Sequence, residues 1–372
     1  MFDQRRSVFR RIRAGLAISV LCVFTLATGP AAASGTPADK PTARFMTYNV
    51  YLGANLQPLF NEDNPVELIQ KAAAIFAHLD LVDFRIRAVA IAQQIIEQDP
   101  DVVALQEVSL WQTGPSSNPS ELTTRYDFLQ ILLDELERQG HPFRAVSVNP
   151  NFTGMLPIDF AGTLGRFTDR NVIIVPADVP VSELMTSNPA QDVYGRTLDV
   201  PIGGVTLHGQ RGWASIDVLF HGMPFRFFVT HLEAFDPDVR KDQVAELVHL
   251  MSVSPIPVVL AGDINLFPKD VRALDDAAWA LLNHAGFKDA WEVAECFEPR
   301  FTAGQTDDLN NVPSILDNTV DYVLFDKDFE TKPVERSCDI AGEELDDRTN
   351  TDPALWPSDH AAVVVDLLIA KP

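Results

Sequence analysis

Eight polar residues in this chain stand at or near the ends of short apolar runs: Asn49, Glu107, His231, Asp263, Asn265, Asp321, Asp359 and His360. The sharpest case is Pro257 to Asn265. There Val258-Val259-Leu260-Ala261, bounded by turn formers, reads as a buried strand that ends in Gly262-Asp263-Ile264-Asn265. In α/β sheets that rim is where ligands bind. Taken singly each residue is ordinary: Asp263 and Asn265 could close the strand as an Asx turn, and Glu107 could be a solvated carboxylate. Gathered at one rim, four carboxylates, two carboxamides and two imidazoles are costly to bury without a cation. So oxygen-rich a set suits a hard ion, Mg²⁺ or Mn²⁺. A neutral His beside an Asp is the usual way to fix a tautomer and stabilise an imidazolium. Together these residues fit metal-assisted hydrolysis of a phosphoester.

The elements that must position them follow from periodicity. Ala43 to Val50 alternates and predicts a first strand carrying Asn49. Pro65 to Leu79 and Phe84 to Glu97 have helical spacing, and Asp99-Pro100 stops the second helix. Asp101 to Val108 is a buried strand delivering Glu107, residues 111–120 read as a loop, and Glu121 to Gln139 as one long amphipathic helix capped by Gly140. The chain then turns to strands at 143–148, 171–175, 204–208, 213–220 and 225–230, the last two forming a hairpin around Gly222 and ending in His231-Leu232-Glu233. Helices are predicted at 236–251 and 270–284, and strands at 320–325, carrying Asp321, and 361–368, after Ser358-Asp359-His360. Residues 327–356 read as irregular, and 151–160 as an apolar loop that either packs on the domain or touches lipid. The mixture implies an α/β protein with mixed sheets.

With 372 residues and 46% hydrophobic content, the chain can bury a substantial core. A net charge of −23 argues against a broad nucleic-acid-binding face, and no cluster of Lys and Arg builds a basic groove. The first residues read as a leader: Arg5, Arg6, Arg10, Arg11 and Arg13, an apolar stretch from Leu16 to Ala27, then Ala31-Ala32-Ala33 for cleavage. We expect a signal peptide at 1–33, a linker at 34–42 and a catalytic domain at 43–372, in a protein exported to the periplasm or medium by the general or twin-arginine route. In an exported chain, Cys296 and Cys338 read as one disulfide.

Six motifs then carry a resemblance: Thr47-Tyr48-Asn49-Val50, Leu105-Gln106-Glu107-Val108, Thr230-His231-Leu232-Glu233, Gly262-Asp263-Ile264-Asn265, Val320-Asp321-Tyr322-Val323 and Pro357-Ser358-Asp359-His360. In this order, over about 43–369, the sequence resembles the endonuclease/exonuclease/phosphatase superfamily, in its deoxyribonuclease I-like and sphingomyelinase-like branches. The resemblance implies a four-layer α/β/β/α sandwich of two mixed sheets flanked by helices. It implies Glu107 as principal metal ligand with Asn49 and Asp359 nearby, and Asp263, helped by Asn265, orienting or deprotonating water. His360, paired with Asp321, would donate to the phosphate, and His231 would donate to the phosphate or protonate the leaving group. The implied protein is a secreted, monomeric, Mg²⁺-dependent phosphodiesterase, with Arg170 and Arg211 as candidate second phosphate contacts. Its substrate stays open between a phospholipid-type diester, with peripheral membrane contact, nucleic acid and a phosphomonoester. The competing readings are an extracellular deoxyribonuclease I-like endonuclease and a non-catalytic phosphate-binding module.

Overall fold

Alternation of buried side chains along the central strands decides how this chain layers. The computed structural model describes residues 41–268, 273, 275–297, 299–326 and 332–369. The expected leader and all but the last two residues of the expected linker lie outside the described residues, and Thr42 already belongs to the first strand. In chain order the first elements are β1 (Thr42–Asn49), α1 (Pro65–Leu81), α2 (Phe84–Gln98), β2 (Val102–Gln106), β3 (Leu110–Pro115), β4 (Thr123–Asp127), α3 (Phe128–Arg138), β5 (Phe143–Pro157) and β6 (Thr163–Pro176). Then come β7 (Leu184–Val193), β8 (Leu198–Ile202), β9 (Val205–Gly209), β10 (Gly212–Phe220), β11 (Met223–His231), α4 (Pro237–Ser252), β12 (Val258–Asp263) and α5 (Asp276–His284). The last are β13 (Phe287–Asp289), α6 (Ala290–Val293), β14 (Asp321–Asp326), β15 (Lys332–Ala341) and β16 (Ala362–Leu368).

An eight-stranded sheet runs β15-β16-β1-β2-β6-β3-β4 with β5 on β6, and a six-stranded sheet runs β13-β14-β12-β11-β10-β7. Each is mixed: β1–β2 and β11–β12 are parallel inside otherwise antiparallel neighbours. Phe45, Ala104, Ile173 and Val363 of the first sheet pack against Ile216, Phe227, Val259 and Val323 of the second. The odd-numbered residues of β12 face this inter-sheet layer, whereas Leu260 faces Leu247 and Leu282 of the helices behind it. Met46, Leu105 and Val172 cover the other outer face with Ile75, Ile91 and Leu132 of α1, α2 and α3. The result is the expected α/β/β/α sandwich. Helix starts are chemically marked: Asn64 before Pro65 accepts from the Val66 N–H at 3.0 Å, and Asp236 before Pro237 from Asp238 N–H at 2.9 Å.

Four local expectations are corrected. Residues 111–120 are not a loop throughout, because β3 occupies Leu110–Pro115. The single helix at 121–139 is a strand followed by a helix. The Thr-Thr-Arg-Tyr run favours extended chain, and Asp127 caps α3 by accepting from Gln130 N–H at 3.4 Å. The apolar stretch 151–160 is not a loop either: β5 runs to Pro157 beside β6, and Asp159 closes the turn by accepting from Ala161 and Thr163 N–H, both at 2.9 Å. Within 327–356, Lys332–Ala341 forms edge strand β15.

Cys296 and Cys338 form a disulfide with Cα atoms 6.3 Å apart across 42 residues of sequence. By chain entropy such a loop contributes about 4 kcal/mol. Mass spectrometry of the native protein should therefore show no free thiol at these two positions, and reduction should lower Tm; quantitative alkylation without reductant would contradict the bridge.

Candidate active site

The inter-sheet layer is apolar along most of its length and polar at one end. On β1 the face of Ala43 and Phe45 continues to Asn49, on β11 that of Phe225, Phe227 and Val229 to His231, and on β12 that of Val259 and Ala261 to Asp263. On β14, antiparallel to β12, the face of Val323 and Phe325 begins at Asp321. Register then aligns His231 with Asp263 and Asp263 with Asp321, one row across three strands. Gly262 is needed for this approach, since a Cβ there would lie 2.2 Å from the Thr230 carbonyl oxygen. Glu107 and Asn265 both sit just past strand ends with positive φ, 59° and 52°. This left-handed turn swings each side chain out of the strand alternation. Asp359 and His360 enter through Ser358, whose hydroxyl donates to the Asn49 carbonyl at 2.6 Å and accepts from the His360 N–H at 3.2 Å.

The eight predicted residues converge. Asn49 Nδ2 donates to Asp263 Oδ2 at 3.0 Å, and the Asn265 N–H donates to Asp263 Oδ1 at 3.1 Å. Both imidazoles face the same carboxylate, His231 Nε2 at 3.4 Å and His360 Nε2 at 3.8 Å from Asp263 Oδ2. His360 Nδ1 bonds Asp321 Oδ2 at 2.8 Å, and Glu107 Oε2 accepts from the Leu52 N–H at 2.6 Å. Arg211 Nη1 lies 3.1 Å from His231 Nδ1. A guanidinium can only donate, so Nδ1 accepts and the ring proton is assigned to Nε2.

Electrostatics separates the groups. Burial, with repulsion from Asp359 and Asp169, raises Glu107 to about 8. Burial, with repulsion from Asp321, raises Asp263 to about 7. The imidazoles diverge: burial and the Arg211 charge hold His231 well below its ordinary value. At His360 burial pulls downward, but the charge and hydrogen bond of Asp321 prevail and hold it well above. The site therefore offers a neutral and a charged imidazole on either side of one carboxylate.

Two acidic groupings could hold a cation. Asp263, Asp321 and His360 offer ligand atoms within 4.8 Å of one another, but the His360–Asp321 hydrogen bond already occupies that trio. Glu107 and Asp359 both line the site and are pushed upward by burial, Glu107 also by the Asp359 charge, and with the Asn49 carboxamide oxygen they would supply the hard-oxygen set suited to a divalent ion.

Arg170 is corrected. On β6 it shares the helix-side face of Val172 and Ile174, away from the inter-sheet residues Asn171 and Ile173. Its donors are committed, Nε to the Val108 carbonyl at 2.6 Å and Nη2 to Asp127 Oδ1 at 2.5 Å. Its neighbour Asp169 lines the site instead, as do Glu233 and Arg211. The sequence reading missed Asp169 and Glu233; the alternation through Ile173 and Val175 is the signal that would have placed Asp169. It also missed Arg87, which is fully buried and donates to the carbonyls of Val50 and Pro357 at 2.8 and 2.7 Å and of Tyr51 at 3.1 Å. It thereby ties the segment after Asn49 to the segment before Asp359. Arg87→Met should lower unfolding free energy by at least ~2 kcal/mol, since buried carbonyls lose their donors. It should also weaken divalent-cation binding measured by calorimetry; retention of both properties would contradict this positioning role.

Residues 46–360 match the Endonuclease/Exonuclease/phosphatase family. No curated protein matches the chain. Among solved structures, a family protein from Bacteroides vulgatus is similar with a TM-score of 0.56 at 16% identity, over 89% of this chain and 100% of that one. A Bacteroides thetaiotaomicron family protein gives 0.54 at 18%, over 88% and 95%. A mannosyl-6-phosphatase from Bacteroides thetaiotaomicron gives 0.52 at 16%, over 87% and 99%. At these identities the likeness is one of fold. By its matched length and fold, this chain belongs to the endonuclease/exonuclease/phosphatase family of metal-dependent phosphoester hydrolases.

Proposed function

We propose that the protein is an exported, Mg²⁺-dependent phosphodiesterase. The observation that carries the reading is Asp263 held between His231 and His360 at 3.4 and 3.8 Å, with Glu107 and Asp359 at the same rim. Glu107, Asp359 and Asn49 would hold the cation, which supplies charge neutralisation at the phosphate. Asp263, aligned by Asn49 and the Asn265 N–H, takes a proton from water as the water oxygen bonds to phosphorus. The bond to the leaving oxygen breaks in line, and neutral His231 steadies that oxygen with a hydrogen bond from Nε2–H while a water molecule supplies its proton. His360, held by Asp321, donates to a non-bridging phosphate oxygen. No covalent enzyme intermediate forms. The arginine-rich leader and the disulfide support export. Net charge of −23 speaks against a nucleic acid substrate. A panel of bis(4-nitrophenyl) phosphate, 4-nitrophenyl phosphate and supercoiled plasmid tests this. The diester should be the best of the three, whereas efficient plasmid nicking with a silent diester would favour an endonuclease, and a silent panel a binding module.

A further inference from the structure

Next to the catalytic row lies a pocket of about 450 Å³ whose lining includes Glu107, His231, Asp263 and His360 on one side. The rest of its wall is largely apolar. Phe76 on α1, Trp111 on β3, Phe167 on β6 and Val200 and Ile202 on β8 line it, all buried. Its volume is about three times that of an engineered ~150 Å³ apolar cavity that takes up benzene. The small β8–β9 hairpin belongs to neither main sheet and closes one side. It is fastened to the segment before α1, where the Asn61 N–H donates to the Pro201 carbonyl and the Gly203 N–H to the Glu62 carbonyl, both at 2.8 Å. The mouth carries exposed apolar side chains, Met155 at 46%, Val205 at 67% and Phe235 at 50% of full exposure.

We infer that this pocket is the subsite for an apolar substituent of the phosphoester, so that the substrate is amphiphilic. The inference rests on the hydrolase reading above and names the class of substrate that reading leaves open. Four observations carry it. The pocket shares its walls with the catalytic row, so a phosphate at His231 and His360 places its ester group beside the apolar lining. The one indole N–H among the lining residues is already satisfied, since Trp111 Nε1 donates to the Leu52 carbonyl at 3.0 Å. The buried Phe76, Trp111 and Phe167 pack on one another and are not free platforms for bases. Phe76 meets Trp111 edge-on at 5.2 Å, and Trp111 meets Phe167 at 4.4 Å. Arg211 is the only Lys or Arg in the lining, among the described residues, whereas a nucleic acid track needs a series of cations.

The test uses the native disulfide-bonded protein with Mg²⁺ and a series of 4-nitrophenyl alkyl phosphodiesters, methyl to octyl, kept below micelle-forming concentrations. Each methylene that is fully buried is worth about threefold to fourfold, and kcat/KM should rise at least ~100-fold from methyl to octyl. Leu207→Trp, which places bulk on the accessory hairpin, should cut the octyl-to-methyl ratio at least ~10-fold. Calorimetry with methyl and octyl phosphate reads the same subsite without turnover, and octyl phosphate should bind more tightly with a more negative heat-capacity change. Octyl diester presented in vesicles should compete with the dissolved octyl diester, as a lipid surface and a free amphiphile supply the same group. Turnover and binding that are flat with chain length would overturn the inference and leave the hydrolase reading standing. Tighter octyl binding with no ester hydrolysed would support the subsite and overturn the hydrolase reading.

Discussion

Glu107→Gln should lower kcat/KM on a phosphodiester by well over ~100-fold, the upper range for losing a partner that only orients a metal ligand. Glu107 is the one carboxylate at the rim pushed up to about 8, and a carboxylate held there is stable as an anion only beside a positive charge. The amide keeps the shape and the Leu52 contact region but removes that charge. Calorimetric Mg²⁺ affinity should therefore fall together with turnover. Thermal stability should hold or rise, because a buried carboxylate with a raised value disfavours the folded state at neutral pH. Unchanged Mg²⁺ affinity in Glu107→Gln would remove Glu107 from the cation site.

The second large effect concerns Asp321 and His360, joined at 2.8 Å. Loss of a general acid or of a donor to the transition state costs about 10²–10⁴-fold, so His360→Ala should fall in that range. Asp321→Asn should reproduce much of this loss, and the double mutant should be far from additive because both changes break one unit. His231→Ala, whose polar neighbours are Arg211, Asp263 and Glu107 rather than Asp321, should add more independently to Asp321→Asn. The pH profile gives a separate readout. Asp321 raises His360, so activity that needs the imidazolium persists as pH climbs and is lost only above that raised value. Removing the Asp321 charge should move the alkaline limb to lower pH. The stabilising contribution of the pair has the same sign: complete below the ordinary His value, lost as pH passes the raised one. Full additivity with an unmoved alkaline limb would mean the two residues do not act as a pair.

Much of this site was legible because its residues continue simple patterns. Asp263 and His231 extend period-2 apolar runs by one step, so the strand that buries Val259 and Phe227 also aims the carboxylate and the imidazole. Glu107 was legible from its place at the end of the apolar Asp101–Val108 run and from its motif, not from alternation, since a φ of 59° takes it out of the pattern that serves Gln106. Arg170 went astray because an arginine beside an Asp and an Asn looks like phosphate chemistry, whereas the parity of β6 turns it towards Asp127. β7 left no signal: its middle residues are exposed, as befits an edge strand, so no alternation of burial needed to be encoded. Arg87 sits inside a helix that reads as ordinary amphipathic sequence, and its three carbonyl partners near the site come from segments that only the fold brings together. The apolar pocket is hidden for the same reason. Its wall is assembled from α1, β3, β6 and the β8–β9 hairpin, none of which carries a motif.

The most direct test of the account is the initial rate of bis(4-nitrophenyl) phosphate hydrolysis by the wild-type protein after exhaustive chelation, followed by titration with Mg²⁺. The raised carboxylates at Glu107 and Asp359, which with Asn49 would hold the cation, predict no measurable turnover after chelation and saturable recovery as Mg²⁺ returns. Full activity in the chelated protein would contradict it.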